Sequence, residues 1–478
     1  MDKDRKLLAF GTGACMTAVA AFGLARLRSY PPHEDEVLAL FVGRDSLGGM
    51  LDTVLTERGG APLHYLLAWV VVHVGGGLDA LRLVSLVCAL AAIPLISALA
   101  GRLVGNTRAL AATVLACASW VFLFHALFGR MYALFLLTAS ASFLALVSRR
   151  WGWWALATLA VLATHPYGVL LLVGQLAYLL HARMRAAFPW ACLVAAGALP
   201  LSYAYAVLAG RYAGDDGPKS TGEYVREAAG DLSSGYLPVL AGVVVLAAVG
   251  FVRVRGLGRV LVACAGAAAF AALGLATFTA ASPESRHLIF VLPFVAALVA
   301  AGLPRASRSA VPLVAALIVF ELAWAVHRTP ELFQGGSPAS ERARRHAAAW
   351  LARTARPDDV LHGFHPVFLA AWERDDSFPH RVVPRADAKL ALAELESAPP
   401  GRGVWIVEGE VAASDVDTRR FGSLTVVRSR GATGSAARYL DLAETVLAGG
   451  DLETVREARR RYERDSRAPR SNRSTASR

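Results

Sequence analysis

The sequence predicts an all-α polytopic membrane bundle of about 11 transmembrane helices, followed by a small α/β extracytoplasmic C-terminal domain. The first 326 or so residues repeat apolar stretches, and about twenty apolar residues suffice to cross a bilayer. Only 18% of the 478 residues are charged, against about 25% in soluble domains. Short basic loops recur at every second connection, as the positive-inside rule requires of cytoplasmic loops.

The first predicted span covers residues 7–27 and follows the basic residues Lys3, Arg5 and Lys6. The later spans that end at basic loops are 81–99, 132–147, 169–180, 237–252 and 288–303. The spans that run in the opposite direction are 109–124, 153–163, 190–208, 260–280 and 310–326. This arrangement places the N-terminus in the cytoplasm and the C-terminus outside a plasma membrane.

The apolar segment 63–74 is ambiguous, because it has about twelve residues and a span needs about twenty. Counting it as a span would move Arg102 and Arg108 to the outer side. We therefore predict an interfacial or re-entrant helix within an outer first loop, residues 28–80. The long outer loops carry the acids and histidines, which favours a functional site on the outer face.

The composition changes after residue 326, and we predict three regions in all. Residues 1–326 form the catalytic bundle, 327–430 the α/β domain, and 431–478 a charged helix with a disordered basic tail. Within the α/β domain, the patterns predict helices at 339–355 and 386–396 and strands at 360–362, 404–407 and 424–427. The charged helix is predicted at 438–464.

The formal net charge of +12 does not indicate a nucleic-acid partner. The last twenty residues carry eight Arg against Glu463 and Asp465, and most of the other basic residues lie in loops between spans. The five cysteines lie in apolar segments without a CxxC pattern, which disfavours a zinc site. The chain also lacks P-loop, GxGxxG and HExxH motifs.

Asp35 and Glu36 are the main catalytic candidates, because they follow the first span directly. A carboxylate at the membrane surface can serve as a general base for an attacking hydroxyl. The alternative is that both acids stabilise the first turn of a helix that begins near Val37. Both interpretations can hold together.

Two arginines stand at the outer ends of spans, and each needs an anion because a guanidinium does not lose its proton. Arg130 precedes Tyr132, and Arg286 precedes His287. A lipid phosphate would satisfy either arginine, whereas interfacial anchoring is the alternative for both. Four further outer positions are weaker candidates, with structural alternatives of their own: His165, Tyr167, His64 and Arg82.

The order of these motifs resembles the GT-C superfamily of integral-membrane glycosyltransferases. The branch is the one of protein O-mannosyltransferases and aminoarabinose transferases. The resemblance covers residues 7–326. It is carried by Asp35-Glu36, Ala61-Pro62-Leu63-His64-Tyr65, Leu81-Arg82-Leu83, Arg130-Met131-Tyr132, Thr164-His165-Pro166-Tyr167-Gly168 and Arg286-His287-Leu288.

The resemblance implies transfer of a sugar from a polyprenyl-phosphate donor to an acceptor glycan, lipid or protein. It makes Asp35 and Glu36 catalytic. Arg130, Tyr132, Arg286 and His287 would bind the donor phosphate. His165, Tyr167, His64 and Arg82 would bind substrate.

A divalent cation, Mg²⁺ or Mn²⁺, would be held by Asp35 or Glu36 if the enzyme needs one. Relatives often have an acid where Phe128 stands, so a metal site built on a second acid is in doubt.

A transporter or lipid flippase is the alternative function, and a non-catalytic assembly protein is the third. A transport path needs polar side chains near the middle of the membrane. Gln175 and Glu321 are the main residues of that kind in the predicted spans.

Overall fold

The computed structural model describes residues 3–56, 61–209, 221–278, 285–304, 307–332, 338–385, 387–411 and 413–467. The chain forms two compact units. The first, called the bundle, comprises Met1–Tyr30 and Val42–Gln334. The second, called the C-terminal unit, comprises Gly335–Arg478 together with Pro31–Phe41 from the predicted first loop.

Sixteen helices are described before residue 335. They are α1 Lys3–Arg26, α2 Glu34–Gly43, α3 Leu47–Thr56, α4 Pro62–His73, α5 Leu78–Val104, α6 Asn106–Ala118, α7 Trp120–His125, α8 Tyr132–Val147, α9 Trp151–Thr164, α10 Gly168–His181, α11 Phe188–Ala209, α12 Thr221–Leu232, α13 Leu237–Arg253, α14 Gly256–Phe278, α15 Leu292–Gly302 and α16 Ser307–Leu332. Short 3₁₀ segments cover Arg185–Ala187 and Ser285–Val291.

Within the described residues, three helical segments are long and apolar enough to cross a membrane: Lys3–Arg26, Leu78–Val104 and Ala310–Thr329. Eight shorter apolar helices accompany them. The bundle is thus polytopic in character, although the predicted number of spans stays a prediction.

The predicted span 109–124 is divided into α6 and α7. Ser119 adopts an extended conformation there, and its hydroxyl accepts a hydrogen bond from the Phe122 amide at 3.4 Å. This is an N-cap, which starts a new helix. The ambiguous segment 63–74 forms the helix α4, with Pro62 in its first turn.

Small residues allow α13 and α15 to approach each other closely. A Cβ atom on Gly250 would collide with the Leu298 carbonyl oxygen, and one on Gly302 would collide with the Leu246 carbonyl oxygen. Glycines are used in this way where membrane helices pack through their backbones. The packing of these helices therefore depends on glycine at both positions.

Ten elements are described after residue 337. They are α17 Pro338–Thr354, β1 Val360–His362, α18 Pro366–Trp372, β2 Val382–Val383, α19 Ala388–Ser397, β3 Gly403–Glu408, β4 Val416–Phe421, β5 Leu424–Ser429, α20 Ala436–Val446 and α21 Gly449–Arg467. The sheet has the order β2-β1-β3-β5-β4. The strands β2, β1 and β3 are parallel to one another, whereas β5 pairs antiparallel with both β3 and β4. Trp405 and Tyr439 are buried in the core of this unit.

Two boundaries differ from the sequence prediction. The predicted bundle limit at residue 326 falls inside α16, and the single charged helix predicted at 438–464 is two helices, α20 and α21. The chain leaves the helical conformation at Leu447, and Gly449 follows with a positive φ of 61°. The basic tail from residue 468 lies outside the described residues.

Candidate active site

The two catalytic candidates of the first loop lie in the first turn of α2. His33 is the residue before the helix, and its Nδ1 accepts a hydrogen bond from the Asp35 amide at 3.1 Å. Glu36 accepts from the His33 amide at 3.0 Å. These reciprocal bonds make a capping box, which fixes the start of the helix. The structural role proposed for these acids as an alternative is therefore present.

The Asp35 carboxylate also lies near the His33 ring, with 3.9 Å between Oδ2 and Nδ1. That nitrogen already accepts a hydrogen bond from the Asp35 amide, so it carries no proton of its own. An imidazole with an unprotonated Nδ1 carries no charge, so the contact with Asp35 is not an ion pair. The Asp35 side chain keeps 30% of its surface exposed, whereas Glu36 is fully buried.

Glu34 attaches the start of α2 to the C-terminal unit. Its carboxylate accepts a hydrogen bond from the Phe364 amide at 3.2 Å and forms an ion pair with Arg385. Burial raises the pKa of the Glu34 carboxyl, and the Arg385 guanidinium and the Phe364 amide partly offset that rise. Sequence reasoning missed this residue, because nothing in a sequence links positions 34 and 385.

A second group of predicted residues comes together inside the bundle. We call it the cationic–aromatic cluster, and its members are His125, Arg130, Tyr132, His165, Tyr167, Arg286 and His287. They come from three places in the chain: the region between α7 and α8, the loop between α9 and α10, and the 3₁₀ segment before α15. The sequence prediction had selected all of them except His125 as site residues.

Tyr132 lies at the centre of the cationic–aromatic cluster. Its ring centroid lies 4.7 Å from that of His125, 5.8 Å from that of His165 and 6.1 Å from that of His287. The Arg286 guanidinium carbon lies 5.3 Å from the centre of the Tyr132 ring. This distance is within the range of a cation–π interaction.

The histidines of the cluster pack against one another and against Tyr167. The rings of His165 and His287 are 5.1 Å apart, and Tyr167 stacks on His287 at 4.8 Å. His165 Nδ1 accepts a hydrogen bond from the Tyr167 amide at 3.2 Å. Burial, together with the nearby Arg286 and Arg130, lowers the pKa of His165 to about 3.

Arg130 connects the cluster to helix α4. One of its terminal nitrogens lies 3.5 Å from the Tyr65 hydroxyl, and the arginine is 9% exposed. His64 contacts the Tyr65 ring edge-on, at 5.7 Å between centroids, and is buried. The predicted residue His64 is thus one residue away from a direct contact of Arg130.

Arg82 has a different environment from the other predicted residues. It is 2% exposed and donates hydrogen bonds to the backbone carbonyls of Tyr30 at 2.9 Å and Leu27 at 3.2 Å. A cation that binds the last carbonyls of a helix stabilises that helix end. Both carbonyls belong to the turn just after α1, which ends at Arg26, so Arg82 holds that turn. Its substrate-binding role stays a prediction.

His125 is the member of the cluster that the sequence prediction left out of the site. It is 2% exposed, and within the described part of the chain neither ring nitrogen has a hydrogen-bond partner. A buried polar atom without a partner costs free energy. The signal that could have found it was its position five residues before Arg130.

Within the ranges that the structure covers, no group of three or more His, Cys, Asp or Glu side chains has the arrangement of a metal site. The predicted divalent cation on Asp35 or Glu36 therefore stays a prediction, and no chemistry is assigned to it below.

No family model and no curated protein sequence matches this chain. Solved structures do match. ArnT from Cupriavidus metallidurans bound to undecaprenyl phosphate superimposes with a TM-score of 0.61 at 14% identity, covering 87% of this chain and 97% of that one. The apo state of the same protein gives 0.59 at 15% identity, covering 88% and 98%.

The similarity extends over nearly the whole length of both chains. An identity of 14% establishes the fold and leaves the chemistry to the residues. The expected resemblance is confirmed at the level of the fold: this chain has the same fold as ArnT.

Proposed function

We propose that the protein is a membrane glycosyltransferase that uses a polyprenyl-phosphate-linked sugar as its donor. The acceptor is a lipid, a glycan or a protein on the outer face of the plasma membrane. The observation that carries the proposal is the cationic–aromatic cluster, which gathers Arg130 and Arg286 with three histidines. The ArnT structure that shares this fold was solved with undecaprenyl phosphate bound.

The chemistry of the cluster fits a lipid phosphate. Arg130 and Arg286 both act electrostatically on His165 and His287, so a phosphate bound beside these histidines would be close to two guanidiniums. Arginine also binds phosphate through two parallel hydrogen bonds. In the proposed reaction Arg130 and Arg286 stabilise the negative charge that grows on the departing polyprenyl phosphate.

The reaction is a displacement at the anomeric carbon of the sugar. The acceptor oxygen forms a bond to that carbon while the bond to the phosphate oxygen breaks. The acceptor proton moves to the Asp35 carboxylate, which acts as the general base. Glu36 keeps Asp35 in place, because the Glu36 carboxylate accepts a hydrogen bond from the His33 amide and so fixes the first turn of α2.

The two polar residues expected to line a transport path are bonded into the packing. Gln175 accepts a hydrogen bond from the Trp154 indole at 2.7 Å and donates to Ser142 at 2.8 Å. Glu321 accepts from the Trp120 amide at 3.3 Å. These contacts favour transfer chemistry over a flippase or transporter.

The first test measures binding and transfer with purified protein in detergent. Undecaprenyl phosphate should bind the wild type. A panel of labelled undecaprenyl-phosphate sugars carrying mannose, arabinose or aminoarabinose should contain a donor that loses its label to an acceptor extract. Asp35→Asn should lower turnover by about 10²–10⁴-fold without loss of folding. Full activity of Asp35→Asn would refute the assignment of the base.

The second test identifies the sugar and the acceptor. The gene is deleted, and envelope glycans, lipids and glycoproteins are compared by mass spectrometry. One sugar should disappear and return with the wild-type gene. Flux of a lipid across liposomes that contain the protein, without any sugar transfer, would favour the flippase instead.

A further inference from the structure

The part of α2 that carries Asp35 and Glu36, up to Phe41, belongs to the C-terminal unit. The segment Pro31–Phe41 is separated from the rest of that unit by about 290 residues of sequence, so its attachment requires specific contacts. Those contacts lie at both ends of the segment, one polar and one aromatic.

The polar contact is centred on Arg385. Its guanidinium pairs with Glu34, the residue immediately before Asp35, and lies 3.5 Å from Asp451 at the start of α21. The Glu34 carboxylate also accepts a hydrogen bond from the Phe364 amide at 3.2 Å. Gly363, just before it, has a φ of +73°, and an added Cβ would lie 3.1 Å from Arg385 and 3.4 Å from Glu34. The backbone at Gly363 therefore lies directly against the ion pair of Glu34 and Arg385.

The aromatic contact lies one helix length further on. The Phe41 ring meets Trp372 edge-on at 5.4 Å and Phe364 edge-on at 6.2 Å. Such pairs add directional packing to the buried area. Phe364 is thus shared by both contacts, through its amide at Glu34 and through its ring at Phe41.

We infer that Arg385 is a positioning residue for the transfer reaction, which acts through Glu34 to set the orientation of the carboxylates on α2. The inference rests on the proposed function, because it needs Asp35 to be the base. If Arg385 has this role, a residue of the C-terminal unit helps to orient the proposed base, Asp35. Misplacing a catalytic group by about 1 Å can cost about 10²-fold in rate.

The test compares Arg385→Gln, Glu34→Gln and the double variant as full-length proteins. Each single variant should lower kcat by about 10- to 100-fold and leave the KM for the donor within about twofold. The double variant should be no worse than the worse single one, because both changes remove the same contact. Arg385→Lys should restore part of kcat. Arg420→Gln, which breaks the exposed pair with Glu410 in the same unit, is the matched control and should leave kcat unchanged.

A second measurement does not depend on activity. Hydrogen exchange of the amides of residues 34–41 should become faster in Arg385→Gln than in the wild type and in the control. Unchanged kcat and unchanged exchange in Arg385→Gln would overturn the inference, as would additive losses in the double variant. If Asp35→Asn abolishes transfer while Arg385→Gln does not, the proposed function stands and only this inference fails.

Discussion

The bundle contains two buried polar groups of side chains that are built in opposite ways. The first, called the glutamine network, consists of Gln175, Ser142, Thr158 and Trp154, and each side chain has a hydrogen-bond partner within it. Ser142 and Thr158 hydroxyls are 2.7 Å apart, and the Gln175 oxygen accepts from Trp154. It joins α8, α9 and α10 without any charge.

The cationic–aromatic cluster is assembled differently. Most of its described contacts join one ring to another or a guanidinium to a ring, and two arginines, Arg130 and Arg286, belong to it. A network of neutral, mutually bonded groups needs nothing further to be stable in a membrane interior. Under the proposed function the first group serves folding and the second serves binding, and mutating each group tests this distinction.

Arg286→Gln should give the largest effect. It removes a guanidinium that we assign to the departing phosphate, and turnover should fall by about 10²–10³-fold, with weaker binding of undecaprenyl phosphate. The thermal unfolding midpoint should not fall. The measurements are steady-state transfer and lipid binding by native mass spectrometry.

The control for this change is Arg253→Gln. Arg253 donates to the carbonyls of Ala301, Gly302 and Leu303 at 2.8–2.9 Å, so it holds the far end of α15. Its loss should lower stability and leave lipid affinity unchanged. If both variants weaken binding equally, Arg286 has no special role at the phosphate.

Gln175→Leu should have the opposite profile. The Trp154 indole and two hydroxyls lose their shared partner, and the free energy of unfolding should fall by about 1–2 kcal/mol. Binding of undecaprenyl phosphate should stay within about twofold of the wild type, because the network has no charge to offer a phosphate. Unfolding in mixed SDS micelles measures the first quantity.

Val173→Ala is the matched control, because this side chain is 58% exposed on the same helix. It should change neither quantity. A loss of lipid affinity in Gln175→Leu as large as that in Arg286→Gln would remove the distinction between the two groups.

The pH dependence of stability should also differ between the two groups. His165 has its pKa lowered to about 3 in the folded protein, against 6.5 for an ordinary histidine. Between these values the unfolded chain binds a proton that the folded protein does not. Stability from this group is therefore complete above pH 6.5 and falls by up to about 1.4 kcal/mol for each pH unit below it.

His165→Gln should make the thermal midpoint less sensitive to pH between 7 and 5, whereas Gln175→Leu should shift the midpoint equally at every pH. Thermal unfolding followed at several pH values measures both. Equal slopes in the wild type and in His165→Gln would show that His165 is not buried as a neutral group.

The sequence predicted the elements that depend on local patterns. Tyr132–Val147 and Val360–His362 have the predicted bounds, because an apolar run between an arginine and a basic pair, or between two breakers, defines its own ends. The edge strand Val416–Phe421 was missed because Asp417, Thr418, Arg419 and Arg420 are exposed. Charged residues protect a sheet edge and conceal the strand pattern.

The sequence singles out candidate side chains one by one, and it does not reveal which of them come together. Side chains chosen one by one, such as Arg130, His165 and Arg286, proved to be neighbours because the order of helices brings their loops together. The attachment of α2 through Glu34 and Arg385 was invisible, because it joins positions 351 residues apart. The hydrogen bonds of Arg82 to the turn after α1 were equally hidden, since a sequence does not distinguish a buried arginine from an interfacial one.

His125→Phe should give the smallest effect and the finest distinction. Phenylalanine keeps the ring contacts with Tyr132 and Phe124, at 4.7 and 5.1 Å, and removes two buried nitrogens that lack partners within the described residues. If those nitrogens serve only packing, the variant gains stability and nothing else changes.

We expect instead that one of the His125 ring nitrogens donates a hydrogen bond to the bound phosphate, directly or through water. Affinity for undecaprenyl phosphate should then fall by about three- to tenfold, which is the net value of one hydrogen bond, while the unfolding midpoint stays the same or rises. Unchanged affinity would show that His125 contributes to packing and not to lipid binding, unlike the role we propose for its neighbour Tyr132.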